Sequence, residues 1–551
     1  MDQHWKVAAI CFLMPVLYFL AYGLHGLCDT DQGFLTALNW RMYNGEVPYI
    51  DFLYVRPPLS LYLHSFVMWL FPLHRVLLIE RALFFLSMGG SVYFSTRMLQ
   101  SAFDFRRMGL SPWLFALMAF VLSVHNFAPM AWHTIDGIFF GAWGLHRIVV
   151  GKKWWGHAFG LILLVLAALS KQAFYPMPLV GLVLLGITHG RQNLLKPTIF
   201  SAGIGLIGLT LIWTIEPLFL QEMWIQTNGV TSLADFAEVA IVRYAKPFLL
   251  IVLPLVIVWR ALSIYTWRLL PAAVFWLSFF GLLGLWVYDA FSSQSFVGPS
   301  YGFARAFFLL AVGISLKGFW LNSRAFGLLL AMLALAWCSG ISWGYATPML
   351  YFSPILFGFI YGLYEELDFE IPRYFYGMVA ILLVWIFAAL YQFPYREAPK
   401  AEMSCRMSLV FERGAGIKVG DETCAKAREL KALTETFQES FTVLPAYPLA
   451  HFLTDQRNPI SVDWAHNAEM HYRRYQKRLE KELGETVETV FLEKDKLDEL
   501  SDPDRYGSLI SGYVAQNWYL ADSSQFFLIY QKEKRPSLPS DTITDAFLSD
   551  E

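Results

Sequence analysis

The sequence predicts a polytopic α-helical membrane protein that ends in a soluble α/β domain. Of its 551 residues, 56% are apolar and only 16% are charged, whereas a soluble protein carries about 25% charged residues. The mean hydropathy of +0.44 points the same way. Roughly half of the charged side chains lie after residue 394, in less than a third of the chain. This uneven charge predicts a membrane domain over residues 1–394 and a soluble domain of ordinary size after it.

The membrane domain is expected to contain about thirteen spans, each of which needs about 20 mostly apolar residues. The candidate stretches are 6–24, 77–97, 111–128, 134–150, 155–170, 173–189, 197–216, 247–264, 269–288, 302–318, 324–340, 349–364 and 373–391. The apolar segment 59–73 is shorter and is bounded by Pro57, Pro58 and Pro72. We therefore interpret this segment as a helix that lies at the membrane interface.

Positive charge gives the orientation of these spans. Lys and Arg recur in alternate turns, for example at Arg106 and Lys152, and are absent from the opposite turns near 129–133 and 289–300. Cytoplasmic loops carry the excess of Lys and Arg. The N-terminus is therefore predicted to be cytoplasmic in a multi-pass protein of the inner (plasma) membrane. The first loop, residues 25–75, and the C-terminal domain then face outward.

The C-terminal domain, residues 395–535, mixes helical and strand-like segments. Charged stretches with helical spacing cover 421–441 and 467–484, and strand-like runs cover 441–444, 487–492 and 525–531. The Pro, Ser and Asp content of residues 536–551 predicts a disordered tail. Cys405 and Cys424 can form a disulfide if the domain is extracytoplasmic, and two free thiols are the alternative.

The first outward loop concentrates the polar chemistry of the membrane domain. Between residues 29 and 64 it holds three aspartates and two arginines: Asp29, Asp31, Asp51, Arg41 and Arg56. A carboxylate just outside the bilayer can act as a general base on an acceptor hydroxyl or amine. An arginine can hold a lipid phosphate through charge-assisted hydrogen bonds. Outward loops are also commonly polar without any catalytic role, so residue types alone leave both interpretations open.

Other candidates lie at predicted helix ends. Asp136 begins an outward-facing helix, where an aspartate is often only a cap; a second acid of an active site is the alternative. Lys171 is a lone cation at the outward end of an apolar helix, where a charge is costly and usually functional. Snorkelling of Lys171 to the interface is the alternative. The neighbours Glu80 and Arg81 are expected to form an interfacial ion pair.

Several short motifs resemble a known enzyme family. The first loop contains, in order, Asp31-x-Gly33-Phe34, Gly45-Glu46-Val47-Pro48-Tyr49, Asp51-Phe52 and Arg56-Pro57-Pro58-Leu59. This order resembles the first loop of the polytopic GT-C glycosyltransferases. The closest likeness is to the dolichyl-phosphate-mannose-protein mannosyltransferase-like family, whose bacterial members include the aminoarabinose transferases that act on lipid A. Weaker likenesses follow at Trp132-His133-x-x-Asp136, Ser170-Lys171-Gln172, Gly344-Tyr345-x-x-Pro348 and Pro445-x-x-Pro448.

The resemblance implies roles for individual residues. In the family, an acidic residue just after the first span is the proposed base, and Asp31 matches that position because Gly33 follows as the pattern expects. Asp29 is the rival, since Gln32 stands where a glutamate is common. Asp136 matches a second acid of the catalytic group. The residues implied in binding the donor and its phosphate are Arg56, Lys171, Tyr49, Asp51 and Gln172.

The expected function is the transfer of a sugar from a polyprenyl-phosphate donor to a lipid, glycan or protein acceptor on the extracytoplasmic face, with inversion at the sugar carbon. No motif requires a cofactor or predicts a metal site, although some GT-C enzymes use a divalent metal. A net charge of −2 argues against a nucleic-acid partner. The alternatives are a lipid-linked oligosaccharide ligase or polymerase and, outside the enzymes, a transporter or an assembly module.

Overall fold

The computed structural model describes residues 4–125, 127–229, 301–341, 348–367, 397–465, 473–496 and 508–533, with a few isolated positions between them. The predicted stretches 247–264, 269–288 and 373–391 lie wholly or largely outside these residues. The helices of the N-terminal part are α1 (His4–Tyr22), α2 (Asp31–Tyr43), α3 (Leu59–Leu70), α4 (Val76–Ala102), α5 (Pro112–Val124), α6 (His133–Val150), α7 (Trp154–Ser170), α8 (Met177–His189), α9 (Leu195–Ile215), α10 (Pro217–Gly229), α11 (Tyr301–Phe319), α12 (Ser323–Ser339) and α13 (Ser353–Leu367).

Four helical segments in the described part are long and apolar enough to cross a membrane: His4–Tyr22, Leu73–Ala102, Gln172–His189 and Arg191–Ile215. They match four of the predicted stretches, while the count of thirteen stays a prediction. The twelve residues of α3 give a helix of about 18 Å. Because the hydrocarbon core is about 30 Å thick, α3 is too short for one crossing, in agreement with its interpretation as a non-spanning helix.

Proline and glycine mark the ends of these helices. Pro112 occupies the first position of α5, where its fixed φ suits a helix and its missing N–H costs nothing. Gly190 follows α8 with a φ of 84°, a positive value that glycine adopts without steric strain because it has no Cβ. The apolar runs between these signals pack into one large core shared by α1, α4, α5, α6, α12 and α13.

The C-terminal domain is an α/β structure, as predicted. Its elements are β1 (Cys405–Arg406), β2 (Lys418–Val419), α14 (Asp421–Thr436), β3 (Phe441–Leu444), α15 (Leu449–Leu453), α16 (Arg473–Thr486), β4 (Thr489–Glu493), α17 (Ser508–Asn517), β5 (Tyr519–Ser523) and β6 (Phe527–Gln531). The main sheet has the order β3-β4-β6-β5, with β3 and β4 parallel and the other pairs antiparallel. The sequence patterns located β3, β4 and β6 but missed the exposed strand β5.

A shared apolar cluster joins the C-terminal domain to the membrane domain. Leu27, Trp40 and Leu77 of the membrane domain pack in one cluster with Tyr447 and Leu449 of the C-terminal domain. A disulfide between Cys405 and Cys424 fixes β1 to α14 in this region, which settles the alternative left open by the sequence. The first loop is therefore enclosed between the helical bundle and the C-terminal domain.

Candidate active site

The first turn of α2 carries Asp31 into a buried position. Asp31 is the first residue of the helix and is 8% exposed, and the positive end of a helix favours a carboxylate there. Its Oδ2 lies 3.9 Å from Sγ of Cys28. A Cβ added to Gly33 would come within 2.8 Å of the backbone nitrogen of Leu449. The C-terminal domain therefore packs directly on the turn that holds Asp31.

Asp29 lies two residues earlier, in different surroundings. Its Oδ2 is 3.3 Å from Nζ of Lys426, a residue of α14 in the C-terminal domain. Its Oδ1 is 3.2 Å from the Thr30 hydroxyl. Asp29 is thus paired with a cation at the domain boundary, whereas Asp31 begins a helix of the membrane domain. The two aspartates, which the sequence leaves as rivals for the base, thus have different contacts, and the choice between them stays a prediction.

Two other charged groups of the first loop hold the loop itself. The guanidinium of Arg41 is buried, with Nε 2.5 Å from Oδ2 of Asp463 and Nη1 2.7 Å from Oε2 of Glu46. The carboxylate of Asp51 accepts a hydrogen bond of 2.7 Å from the backbone N–H of Val47. The expected role of Arg41 in holding a phosphate is not supported, because its donors already serve carboxylates. A donor-binding role for the exposed Asp51 stays a prediction.

Arg56 and Lys171 form a pair of neighbouring cations. The guanidinium carbon of Arg56 lies 4.8 Å from the centre of the Phe34 ring, which is one turn after Asp31. Lys171 is 8% exposed, and its Nζ lies 3.2 Å from the hydroxyl of Thr134. Burial, together with the charge of Arg56, lowers the pKa of Lys171 to about 7. Burial and the same two cations hold the pKa of His133 well below its ordinary value.

Tyr49 and Gln172 fix the backbone that carries Arg56. The Tyr49 hydroxyl donates a hydrogen bond of 2.7 Å to the carbonyl of Arg56. The Gln172 amide donates to the carbonyl of Val55 and, at 3.1 Å, to that of Thr227. Both side chains were expected to bind the donor. In the structure their polar groups hydrogen-bond to the backbone carbonyls of Val55 and Arg56 and so orient the Arg56 side chain.

Asp136 belongs to a buried polar network rather than to a helix cap. It is the fourth residue of α6, and its Oδ2 lies 3.2 Å from Nε2 of His64 on α3, with both side chains buried. Behind this pair, Oε2 of Glu80 accepts a hydrogen bond of 3.2 Å from the hydroxyl of Thr36 on α2. The first pair joins α3 to α6 and the second joins α4 to α2, and the charge of Glu80 acts on His64 across the space between them.

Sequence reasoning missed His64 and gave the wrong partners to Glu80 and Arg81. Arg81 donates to the carbonyl of Gly26 at 2.6 Å and to Oε1 of Gln32 at 2.7 Å, while Glu80 faces α2. The expected ion pair between these two neighbours is therefore replaced by contacts to the first loop. The available signal for His64 was a single imidazole on the otherwise apolar α3, whose other face is exposed.

A metal site does not emerge from the part of the chain that the structure describes. No group of three or more His, Cys, Asp or Glu side chains there could hold a metal ion. The imidazole of His64 contacts a single carboxylate, that of Asp136. These donors do not fit a metal centre, and a divalent metal stays an open expectation of the resemblance.

Comparison with known proteins was made at the level of sequence and of structure. No protein-family model and no curated protein sequence matches the chain. Among solved structures, the oligosaccharyltransferase of Archaeoglobus fulgidus in complex with zinc and sulfate aligns with 95% of this chain and 72% of its own, at 13% identity and a TM-score of 0.48. The same archaeon's oligosaccharyltransferase AglB, in complex with an inhibitory peptide and a dolichol-phosphate, aligns with 90% and 70% of the two chains, at 14% identity and a TM-score of 0.45.

ArnT from Cupriavidus metallidurans in the apo state aligns over 96% of this chain and 98% of its own, at 12% identity and a TM-score of 0.45. Both kinds of neighbour are GT-C glycosyltransferases, the class that the first-loop motifs resemble. Neither the identities nor the TM-scores say what this chain acts on.

Proposed function

We propose that this chain is a membrane glycosyltransferase of the GT-C type, which moves a sugar from a polyprenyl-phosphate donor to an acceptor outside the cytoplasm. The observation that carries the proposal is the environment of Lys171. Its ammonium is buried, lies beside Arg56, and has the Thr134 hydroxyl as its hydrogen-bond partner among the described residues. A buried cation without a carboxylate partner is costly. A phosphate that arrives with the substrate would supply the missing negative charge.

The reaction assigns one role to each part of the site. Asp31 accepts the proton of the acceptor hydroxyl or amine as that atom attacks the sugar carbon bonded to the lipid phosphate. The bond between this carbon and the phosphate oxygen breaks, and its electron pair leaves with the phosphate. Arg56 and Lys171 stabilise that charge, which is the largest single contribution in many transferases. Attack opposite to the leaving group inverts the configuration of the sugar carbon.

The buried network around Asp136 supports this arrangement from below. Asp136 faces His64 rather than solvent, and Glu80 is bonded to Thr36 on the helix that begins with Asp31. Because α2 packs on α3 and α4 packs on α6, these two contacts support the position of α2 relative to α6, which also carries Thr134, the partner of Lys171. The proposed base, Asp31, and the proposed phosphate-binding cation Lys171 are in this way held by helices that pack together.

The decisive experiment replaces Asp31 by asparagine, which keeps the size of the side chain and removes the base. Loss of a general base is expected to lower sugar transfer by about 10²- to 10⁴-fold, with binding of the polyprenyl-phosphate donor retained. Transfer is followed by mass spectrometry of lipids, glycans and envelope proteins from a strain that lacks the gene and is complemented with each variant. Asp104→Asn is the matched control. It makes the same chemical change at an exposed carboxylate outside the site, which accepts hydrogen bonds only from the backbone N–H groups of Arg106 and Arg107 among the described residues.

The outcomes separate the candidate functions. A missing increment of one sugar in the deletion strain, restored by the wild type and by Asp104→Asn but not by Asp31→Asn, supports the proposal. Full transfer by Asp31→Asn contradicts the assignment of the base. Transfer of a preassembled glycan in one step would instead identify an oligosaccharide ligase, and movement of the lipid across the membrane without transfer would identify a transporter.

A further inference from the structure

One buried cation of the C-terminal domain reaches into the first loop. Lys426 lies on α14, and its Nζ is 2.6 Å from Oε1 of Glu493 and 3.3 Å from Oδ2 of Asp29. Asp495 is a third carboxylate, at 3.6 Å. Glu493 and Asp495 belong to the C-terminal domain, whereas Asp29 belongs to the membrane domain. A single ammonium therefore joins the two domains next to the candidate base.

The surroundings of Lys426 hold its ammonium in place beside Asp29. Glu493 is fully buried, and its other carboxylate oxygen accepts a hydrogen bond of 2.7 Å from the backbone N–H of Ala446. Burial alone would lower the pKa of Lys426, but the carboxylates of Glu493 and Asp29 raise it. Lys426 therefore stays an ammonium, held in place by a buried partner that itself cannot move without losing its hydrogen bonds.

The residues after Asp29 are held by the same part of the C-terminal domain. The Thr30 hydroxyl lies 3.1 Å from the carbonyl oxygen of Ala446. At Gly33 the backbone of α2 approaches Leu449 so closely that no side chain fits between them. Among the residues that the structure describes, Asp29, Thr30 and Gly33 thus each contact the C-terminal domain, and the contact of Asp29 is an ion pair with Lys426.

The geometry points to Lys426 as a positioning residue, which holds the carboxylate of Asp29 and thereby sets the first turn of α2 and the carboxylate of Asp31. This gives the two neighbouring aspartates different tasks. Asp31 takes part in the chemistry, and Asp29 is the anchor of the loop. The kinetic part of this inference rests on the proposed function, whereas the anchoring of the loop does not.

The first variant is Asp29→Asn, which removes the anchor and leaves Lys426 paired with the buried Glu493. Because a misplacement of about 1 Å can cost about 100-fold in rate, we expect kcat to fall by about 10- to 100-fold while KM for the acceptor is unchanged. Asp29→Glu keeps the carboxylate and is expected to recover most of the rate. The matched control is Asp495→Asn, which removes a half-exposed carboxylate from the same ammonium without touching the first loop, and its kcat should match the wild type.

A double-mutant cycle tests whether Asp29 acts through Lys426. If Asp29 acts through its ion pair with Lys426, the double variant Asp29→Asn, Lys426→Gln has the same kcat as each single variant. Additive losses would mean that Asp29 acts independently, and the inference would be overturned. Lys426→Gln leaves Glu493 buried without its cation and is expected to unfold at a lower temperature. Its kcat is therefore measured well below its unfolding transition, on the monodisperse fraction from size-exclusion chromatography.

Hydrogen exchange supplies a measurement that needs no sugar transfer and no Lys426 variant. In purified Asp29→Asn, amide exchange is expected to rise in residues 24–34 and to stay unchanged in β3 and β4. Such a rise stands even if the chain transfers no sugar, in which case the proposed function fails and the anchor remains. Unchanged exchange in residues 24–34, or unchanged kcat together with raised exchange, would overturn the positioning role.

Discussion

Helices α2 and α9 invert the relation between polarity and burial that holds in water-soluble proteins. Eleven of the thirteen residues of α2 are buried, and they include Asp31, Asn39 and Arg41. In α9 only Pro197 of 21 residues is buried, although the helix is almost entirely apolar. An apolar surface of this kind in water marks an interaction site or an aggregation hazard. The exposed apolar surface of α9 is of the kind that a membrane-spanning helix presents to lipid, whereas the polar residues of α2 are enclosed by protein.

The two helices therefore depend on different things for their stability. α9 needs a surrounding hydrocarbon phase and tolerates changes that keep it apolar. α2 needs particular atoms at particular distances, because a buried polar group without its partner is destabilising. Matched substitutions test this contrast. The largest loss of free energy is expected at a buried ion pair, and smaller losses follow at an exposed apolar residue of α9, at a glycine and at a lysine that titrates.

The largest effect is expected from Arg41→Met in α2. This change leaves the buried carboxylate of Asp463 without its cation, which typically costs about 3–5 kcal/mol. The free energy of unfolding in detergent micelles measures the loss. Lys196→Met in α9 is the matched control, since Lys196 is exposed and surface changes usually stay within about 0.5 kcal/mol. Equal losses in the two variants would remove the contrast.

The next effect concerns the lipid environment of α9. Ile207 lies near the middle of the helix and is 62% exposed. An aspartate near the centre of a membrane span costs about 2.5–3.5 kcal/mol on the insertion scale, so Ile207→Asp is expected to lower the inserted fraction in a membrane-insertion assay by more than tenfold. Ile207→Val serves as the control. Normal insertion of the aspartate variant would show that this face of α9 does not meet lipid.

A pair of glycines separates the two environments more finely. In Gly33→Ala the new Cβ would meet the backbone of Leu449, and such overpacking typically costs about 1–3 kcal/mol. Gly205 in α9 has no atom within 4 Å of an added Cβ. There Gly205→Ala is expected to stabilise the helix by up to about 1 kcal/mol. Thermal unfolding of both variants checks the opposite signs, and a destabilising Gly205→Ala would mean that α9 packs against protein.

The smallest effect is a pH dependence of donor binding. The pKa of Lys171 is about 7, and only its ammonium form attracts a phosphate. Affinity for the donor is therefore expected to be full below pH 7 and to fall by about tenfold in all, or about 1.4 kcal/mol, between pH 7 and pH 9. Lys171→Arg keeps its charge and should flatten the profile, whereas Lys196→Arg should leave it unchanged. A wild-type affinity that does not vary between pH 6 and 9 would contradict this role of Lys171.

The sequence predicts elements better than it predicts partners. Apolar stretches located the four described helices that are long and apolar enough to cross a membrane, and short strand-like runs located three strands of the main sheet, because both signals are local. The tasks of Asp29 and Arg41 could not be predicted, since their partners Lys426 and Asp463 come about 400 residues later. His64 was missed for a related reason. Its apolar helix was recognised, but the buried contact between its imidazole and Asp136 depends on how α3 and α6 pack together.

The contact between Arg41 and Asp463 also limits how early in translation the first loop can complete its folding. The two residues are separated by 422 positions, so at about 5–20 residues per second the ribosome needs about 20 to 80 s to supply the second after the first. During that interval the first loop has been synthesised, whereas its partners in the C-terminal domain have not. Arg41 therefore reaches its folded arrangement only after the chain has been made as far as Asp463, so the first loop is among the earliest segments synthesised and among the last to gain all its contacts.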